Sequence, residues 1–310
     1  MLAPMAGVTD LTFRTLCRRH GAELTVTEMI SAKAMHYGDV KTPELYRLGA
    51  DEHPSAAQLF GREPEIMAEA AAFLLSGSNP PDIIDINMGC PMPKITKNGE
   101  GSALMRDPEL AGQIIAAVVR ASSPAPVMVK FRSGWDDAHI NAVEIAKIAE
   151  QSGAAAVTVH GRTRAQLYAP PINLDIIAAV KQAVKIPVIG NGGVMGAHSA
   201  LEMVAKTGCD GIAVASGAQG HPWIFAELRA VFAGEEFTEP TYSERIAAAV
   251  GHMRLCCADK GAQGVLECRG RLAHYIKGLP GAAAARDAIN RAETQDDLER
   301  ILEQLTIVNC

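Results

Sequence analysis

The chain has no Cys-x-x-Cys pair. Its seven cysteines, Cys17, Cys90, Cys209, Cys256, Cys257, Cys268 and Cys310, are odd in number and scattered. That pattern argues against a disulfide framework and against a zinc site, and no metal is expected. It has no basic surplus either. A net charge of −6 excludes wholesale nucleic-acid binding driven by counterion release, so any nucleic-acid partner must meet a local patch. Thr241 to Cys310 carry nine Lys/Arg against nine Asp/Glu, which leaves the whole deficit on residues 1–240. No apolar run is long enough to cross a bilayer, and Met1 is not followed by a basic and then apolar leader. A soluble, cytoplasmic, monomeric protein with no membrane partner is therefore expected. No G-x-G-x-x-G opens a helix early in the chain, which argues against a Rossmann-bound nicotinamide.

What is present is a regular alternation. Short apolar, β-rich runs are each followed by a helical pattern, as in βα units around a parallel sheet. The strand candidates are Leu2–Pro4, Leu24–Glu28, Ser55–Phe60, Ile83–Asn87, Val127–Phe131, Ala155–His160, Pro187–Asn191 and Gly211–Ala215. Eight such units over about 235 residues match a (β/α)8 TIM barrel. The first run has nothing before it, so the first strand should be short or the chain trimmed. After "FAGEEFTEPTY" the pattern turns to helices alone, at Ser243–Lys260, Val265–Lys277 and Asp296–Leu305, with a short one at Ala283–Arg291. The expected organisation is an α/β barrel over residues 1–238 followed by a small all-α helical domain over residues 239–310.

Barrels of this kind collect chemistry at the carboxyl ends of the strands. Reading round the ring gives Pro4-Met5-Ala6, Glu28, Gln58, Asn87 with Cys90, Lys130 with Arg132, His160 with Arg162, Asn191-Gly192-Gly193 and Ser216-Gly217. Alternation aims the Lys130 ammonium into the mouth, where only an anionic or polar partner justifies it. His160 alone would read as a core histidine; its register beside Lys130 and Arg162 points to a site. The turns "IGNGGVMG" and "ASGAQG" stand where barrels commonly bind phosphate through backbone N–H groups. Cys90 follows the fourth strand by three residues, between Gly89 and Pro91, so its sulfur can be held over the mouth as an acid or a nucleophile.

In order and spacing, "APMAGVTDLTFR", "DINMGCPMPKITKNGEGSALM", "VMVKFRSGW", "VTVHGRTR", "VIGNGGV" and "GAQGHPWIF" resemble the tRNA-dihydrouridine synthase family, in its bacterial B-like group, over nearly the whole chain. The resemblance implies an FMN-dependent barrel that reduces particular uridines of tRNA to 5,6-dihydrouridine with electrons from NADPH. It implies that Pro4, Met5 and Ala6 line the flavin edge, that Gln58 and Lys130 bond the isoalloxazine with His160 beside it, and that Asn191, Gly192, Gly193, Ala215, Ser216 and Gly217 hold the ribityl phosphate. Asn87 and Arg162 would contact the uracil, and Cys90 would donate the proton. Lys94 and Lys97 suit tRNA phosphates. The tail "ECRGRLAHYIKGLPG" resembles the family's tRNA-binding domain, where Arg271, His274 and Lys277 recur every three residues on one helix face, flanked by Arg269. The chain departs from the family pattern at Gly193, at Ala215-Ser216, at "APPINLD" and in the absence of an opening hairpin. Two rival readings stand beside this one: an FMN barrel acting on a small free pyrimidine, and a flavin-stabilised protein that binds tRNA without reducing it.

Overall fold

The computed structural model describes residues 1–309, with side chains through Leu305; Cys310 lies outside the described residues. Seven parallel strands form one sheet in the order of the chain: β1 Thr25–Ser31, β2 Ser55–Phe60, β3 Ile83–Met88, β4 Val127–Arg132, β5 Ala156–His160, β6 Val188–Asn191 and β7 Gly211–Ala213. The expected first strand is reduced to a bridge. Leu2 pairs with Thr25 on one side and with Val214 on the other, so the two edges of the sheet meet on it. Its N–H donates to Leu24 O at 2.8 Å, and the N–H of Ala3 donates to Val214 O at 2.8 Å.

Helices cover the outside of the sheet. α1 is Leu11–Arg19; the irregular link of residues 31–51 holds two five-residue helices, α2 Ala32–His36 and α3 Thr42–Tyr46. Then come α4 Pro64–Leu75, α5 Pro93–Thr96, α6 Pro108–Ser122, α7 Ala142–Gln151, α8 Leu174–Ala183, α9 Ala197–Thr207 and α10 Ile224–Ala233. Their starts are written locally. Asp10, Asp107 and Asn173 accept backbone N–H bonds as N-caps of α1, α6 and α8, and proline opens α4 and α6. The apolar stripe of each faces the Val- and Ile-rich strands, and the two layers share one cluster of buried side chains. No helix among the described residues is long and apolar enough to cross a membrane.

Four further helices follow: α11 Tyr242–Lys260, opened by a Thr241/Glu244 capping box, α12 Ala262–Tyr275, α13 Ala282–Arg291 and α14 Gln295–Asn309. They bury a second apolar cluster, to which Leu16 of α1 and Trp223 also belong. The two parts are tied together by charge. Asp10 caps α1 with Oδ1 while its Oδ2 accepts from Lys260 Nζ at 2.6 Å and from Arg271 Nη1 at 2.8 Å. Both cations also reach Glu267, and Arg47 grips Asp259 with bonds of 2.6 and 2.7 Å.

This network corrects the sequence expectation for the tail. Arg271, expected on an open stripe, has a side chain only 11% exposed and spends its terminal nitrogens on Asp10, Glu267 and the Cys256 sulfur. Arg269 is likewise spent, on Ala292 O. His274 and Lys277 are the exposed members of the series. Spacing on a helix face shows which side chains are neighbours, but not whether another part of the chain supplies their counter-ions.

Burial works against the charge on Asp10, but Arg271, Lys260 and the Phe13 N–H outweigh it and hold the carboxyl well below its usual range. A depressed carboxyl contributes stability that is complete above its unfolded value, near pH 4, and is lost as the pH falls through the folded value. Replacing Arg271 by Ala leaves that buried carboxylate short of a partner and should cost about 3 kcal/mol in urea unfolding. Lys277→Ala, at an exposed position, should change stability by no more than about 0.5 kcal/mol. Equal midpoints for the two variants would show that the network does not hold the helices to the sheet.

Candidate active site

At the carboxyl ends of the strands lies a cavity of about 560 Å³. It brings together nearly all the residues expected of the strand ends: Pro4, Met5 and Ala6, Gln58, Asn87 and Cys90, Lys130, His160 and Arg162, Asn191 to Gly193, and Ala215 with Ser216. Gly217 does not line it; it sits in the short 3-10 turn Ser216–Ala218, where a Cβ would lie 2.2 Å from Val194 O. Lys94 and Lys97 lie outside, exposed on and after α5. Arg271 and His274 line a separate groove of about 300 Å³ between α12 and the Gly7 turn, which shares Val8 and Gln219 with the cavity.

Glu28 is replaced in the wall by Met29. Val26 pairs with Ala56 and Met29 with Gln58, so β1 carries one residue more than β2 over this stretch. An unbroken register would have set Glu28 opposite Gln58; the bulge turns it away to accept the Gly7 N–H at 2.6 Å. Alternation in the sequence gives no sign of that extra residue. Arg132, Tyr168 and Gln219 also line the cavity, and none of them had been given a role from the sequence. Arg132, two residues after Lys130, is among the strand-end residues named from the sequence; Tyr168 and Gln219 lie beyond the strand ends, where alternation gives no sign.

The floor of the cavity is a line of buried polar groups. Gln58 Nε2 donates to Asp85 Oδ2 at 2.6 Å, Asn87 Nδ2 donates to Gln58 Oε1 at 2.7 Å, and Asn87 Oδ1 accepts from the N–H groups of Gly89 and Cys90 at 3.1 and 2.9 Å. Burial pushes Asp85 up to about 7, against the Gln58 bond and the Lys130 charge. It pushes Lys130 down to about 8, with Arg132 acting in the same direction and Asp85 against it. Lys130 makes no hydrogen bond or ion pair among the described residues; it lines the cavity, and Asp85 partly offsets its charge. His160 is held well below its ordinary value by burial and then by Lys130, Arg132 and Arg162, which keeps it neutral at pH 7. Its Nδ1 is buried without a partner.

The Cys90 loop is pinned on three sides. Its N–H is held by Asn87, its carbonyl accepts from the N–H and Oγ of Ser102 at 3.1 and 2.9 Å, and Gly89 O accepts from Arg132 Nε at 2.8 Å. Arg132 in turn holds Thr163 O and Leu167 O, so the loops after β3 and β5 share one guanidinium. The Gly99-Glu100-Gly101-Ser102 turn is what makes this possible. Gly101 has φ +59°, and a Cβ there would lie 2.9 Å from Cys90 O and 3.1 Å from Cys90 Cβ.

The glycine turns after β6 and β7 offer anion donors. The N–H groups of Gly193, Val194, Ala215 and Ser216 meet no acceptor among the described residues. Gly193, at φ +67°, faces Ile172 of the "APPINLD" stretch, whose Cδ1 would be 2.2 Å from a Cβ. Only glycine therefore fits at position 193 against Ile172.

A family model described as dihydrouridine synthase (Dus) matches residues 1–309. A probable tRNA-dihydrouridine synthase of Mycobacterium tuberculosis (strain ATCC 25618 / H37Rv) is 42% identical over 317 residues, covering 98% of this chain and 81% of that protein. Probable tRNA-dihydrouridine synthase 1 of Synechocystis sp. is 40% identical over 305 residues, covering 97% and 84%. A protein named tRNA-dihydrouridine synthase B, from Xanthomonas axonopodis pv. citri, is 41% identical over 298 residues, covering 96% and 89%.

Gly101→Ala should push the Cys90 carbonyl off its Ser102 donors and loosen the loop, at a cost of about 1–3 kcal/mol in strain. Iodoacetamide labelling followed by peptide mass spectrometry should show Cys90 alkylated several-fold faster than in the parent. An unchanged rate would mean that the turn does not restrain the thiol.

Proposed function

The chain belongs to the dihydrouridine synthase family, and from that membership we propose that it reduces uridines of tRNA to 5,6-dihydrouridine, with FMN as bound cofactor and NADPH as electron donor. The observation that carries this reading is one cavity that joins Cys90 and Asn87 to Lys130, His160 and two glycine turns. We take the seven strands and the Leu2 bridge as a (β/α)8 barrel spanning residues 1–238, with residues 239–310 as a helical tRNA-binding domain. A cytoplasmic location follows from a tRNA substrate.

The cavity's residues fit FMN. Its volume lies in the range of ligand pockets of about 300–1,000 Å³. Four unpartnered backbone N–H groups at the turns suit a phosphate, and the unpaired Lys130 ammonium with the Gln58 amide suits the polar edge of a flavin ring. His160, neutral with an open Nδ1, can accept or donate one bond beside that ring. When bound, FMN reduced by NADPH supplies a hydride to C6 of the uracil. The chain supplies the rest. Asn87 and Arg162 orient the base. Cys90, restrained by Asn87, Ser102 and Arg132, gives its thiol proton to C5 from the opposite face. The target uridine must leave its stack to reach this depth, so a docking surface outside the cavity is required.

We assign that surface to the rim on the β3 to β5 side and to His274 and Lys277. Lys94, Lys97, Arg106, Arg162 and Arg164 make no ion pair among the described residues. Arg106 and Arg164 both stack on Trp135, with guanidinium carbons 4.9 and 4.5 Å from ring centroids, which fixes their planes while leaving N–H edges free. Asp107, next to Arg106, is engaged as a helix cap, and Asp136, next to Trp135, is engaged by His139.

Two measurements test this reading. Cys90→Ala should keep its flavin and its reduction by NADPH while losing about a hundredfold or more in the rate of dihydrouridine formation, because the thiol acts only once tRNA is bound. Full turnover on tRNA by that variant would remove Cys90 from the mechanism. Replacing Arg106 and Arg164 together by Ala should raise the Kd for tRNA and lower the slope of log Kd against log salt by roughly two units, one per lost phosphate contact. An unchanged slope would move the docking surface away from this rim.

A further inference from the structure

Gln58 and Asn87 form the amide floor of the cavity, and a side-chain amide turned over exchanges donor for acceptor with almost no change of shape. Something must therefore decide which way each one points. At the upper end the deciding groups are the N–H of Gly89 and the N–H of Cys90, which can only donate, so Asn87 presents Oδ1 to them at 3.1 and 2.9 Å. That choice directs Asn87 Nδ2 at Gln58 Oε1, 2.7 Å away, and so directs Gln58 Nε2 at Asp85 Oδ2, 2.6 Å away. Ionised, as the Lys130 charge favours, Asp85 can only accept. The line from Asp85 to Cys90 therefore has one direction, and both its ends enforce it.

We infer that Asp85 is a positioning residue for Cys90: its carboxylate sets the polarity of the Gln58 and Asn87 amides, and through them holds the backbone of the Cys90 loop over the cavity. This rests on the reading of Cys90 as the proton donor. Asp85 does not line the cavity, being 1% exposed behind Gln58, so it touches neither base nor cofactor. Its place is costly. One oxygen has no partner, and among the described residues Lys130 is the cation that offsets its charge. A leucine or valine, beside Met128 in the next strand, would avoid that desolvation cost. The competing explanation is that Asp85 serves only as counter-ion to Lys130, and the two roles predict different losses.

Asp85→Asn in the full chain separates them. The new amide offers either its carbonyl to Gln58, keeping the direction but giving up the carboxylate charge beside Lys130, or its amino group, which reverses Gln58 and sets donor against donor further along. With the line weakened by about one hydrogen bond, hydrogen exchange of the Gly89 and Cys90 amides, read on the peptide spanning residues 86–104, should speed up about tenfold. At saturating tRNA, kcat should fall about tenfold with KM unchanged, because a displaced thiol weakens a step and not substrate binding. Flavin content and Tm should stay at parental values. Exchange at the parental rate overturns the inference, and so does loss of flavin without faster exchange, which would assign Asp85 to Lys130. If the Asn variant does not fold, Asp85→Leu gives the same readout without a buried polar atom. Failure of the functional reading looks different: Cys90→Ala would then reduce uridine at the full rate whatever Asp85 does.

Discussion

The site exists because the two edges of the sheet are held on one short segment. Leu2 pairs with Thr25 and Val214, and this brings β1 and β7 together through the bonds of Leu2 and Ala3. Without that contact the turns after β6 and β7 would face open solvent rather than Met5 and Ala6. The polar groups of the cavity come from the ends of several strands, so their convergence depends on the sheet as a whole and not on any local motif. The same segment bears the first turn of α1, whose cap, Asp10, receives Lys260 and Arg271. Ring closure and the attachment of the helical part therefore share one stretch of about ten residues.

Burial then sets the chemistry. The low-dielectric floor brings Asp85 and Lys130 toward neutrality from opposite sides and keeps His160 uncharged. The Cys90 loop is kept from wandering by Ser102 and Arg132 from the outside and by the amide line from beneath. Arg132 matters beyond its own bonds, because it couples that loop to the loop after β5, where Arg162 stands.

Much of this was legible in the sequence. Ser55–Phe60 is a strand from end to end as read, since an apolar run with Gln58 at its fourth position has one plausible register. The strand ends after β3, β4, β5 and β6 carried their residues into the cavity because parallel strands keep alternation intact. What was hidden depended on contacts distant in sequence. The bulge in β1 exchanges Glu28 for Met29, and no residue type there announces it. Arg271 was read from helix periodicity, which is blind to Asp10 some 261 residues away. Asp85 did leave a signal, a carboxylate inside the apolar run "IIDIN", and a charge in the middle of a buried strand calls for a partner.

The activity proposed for this cavity is the reduction of uridine within tRNA. It is tested most directly on tRNA from cells lacking this chain, digested to nucleosides and mapped by mass spectrometry position by position. Dihydrouridine should disappear from at least one position and return when the parental chain is restored. Dihydrouridine at parental levels at every position in the deleted strain would contradict it.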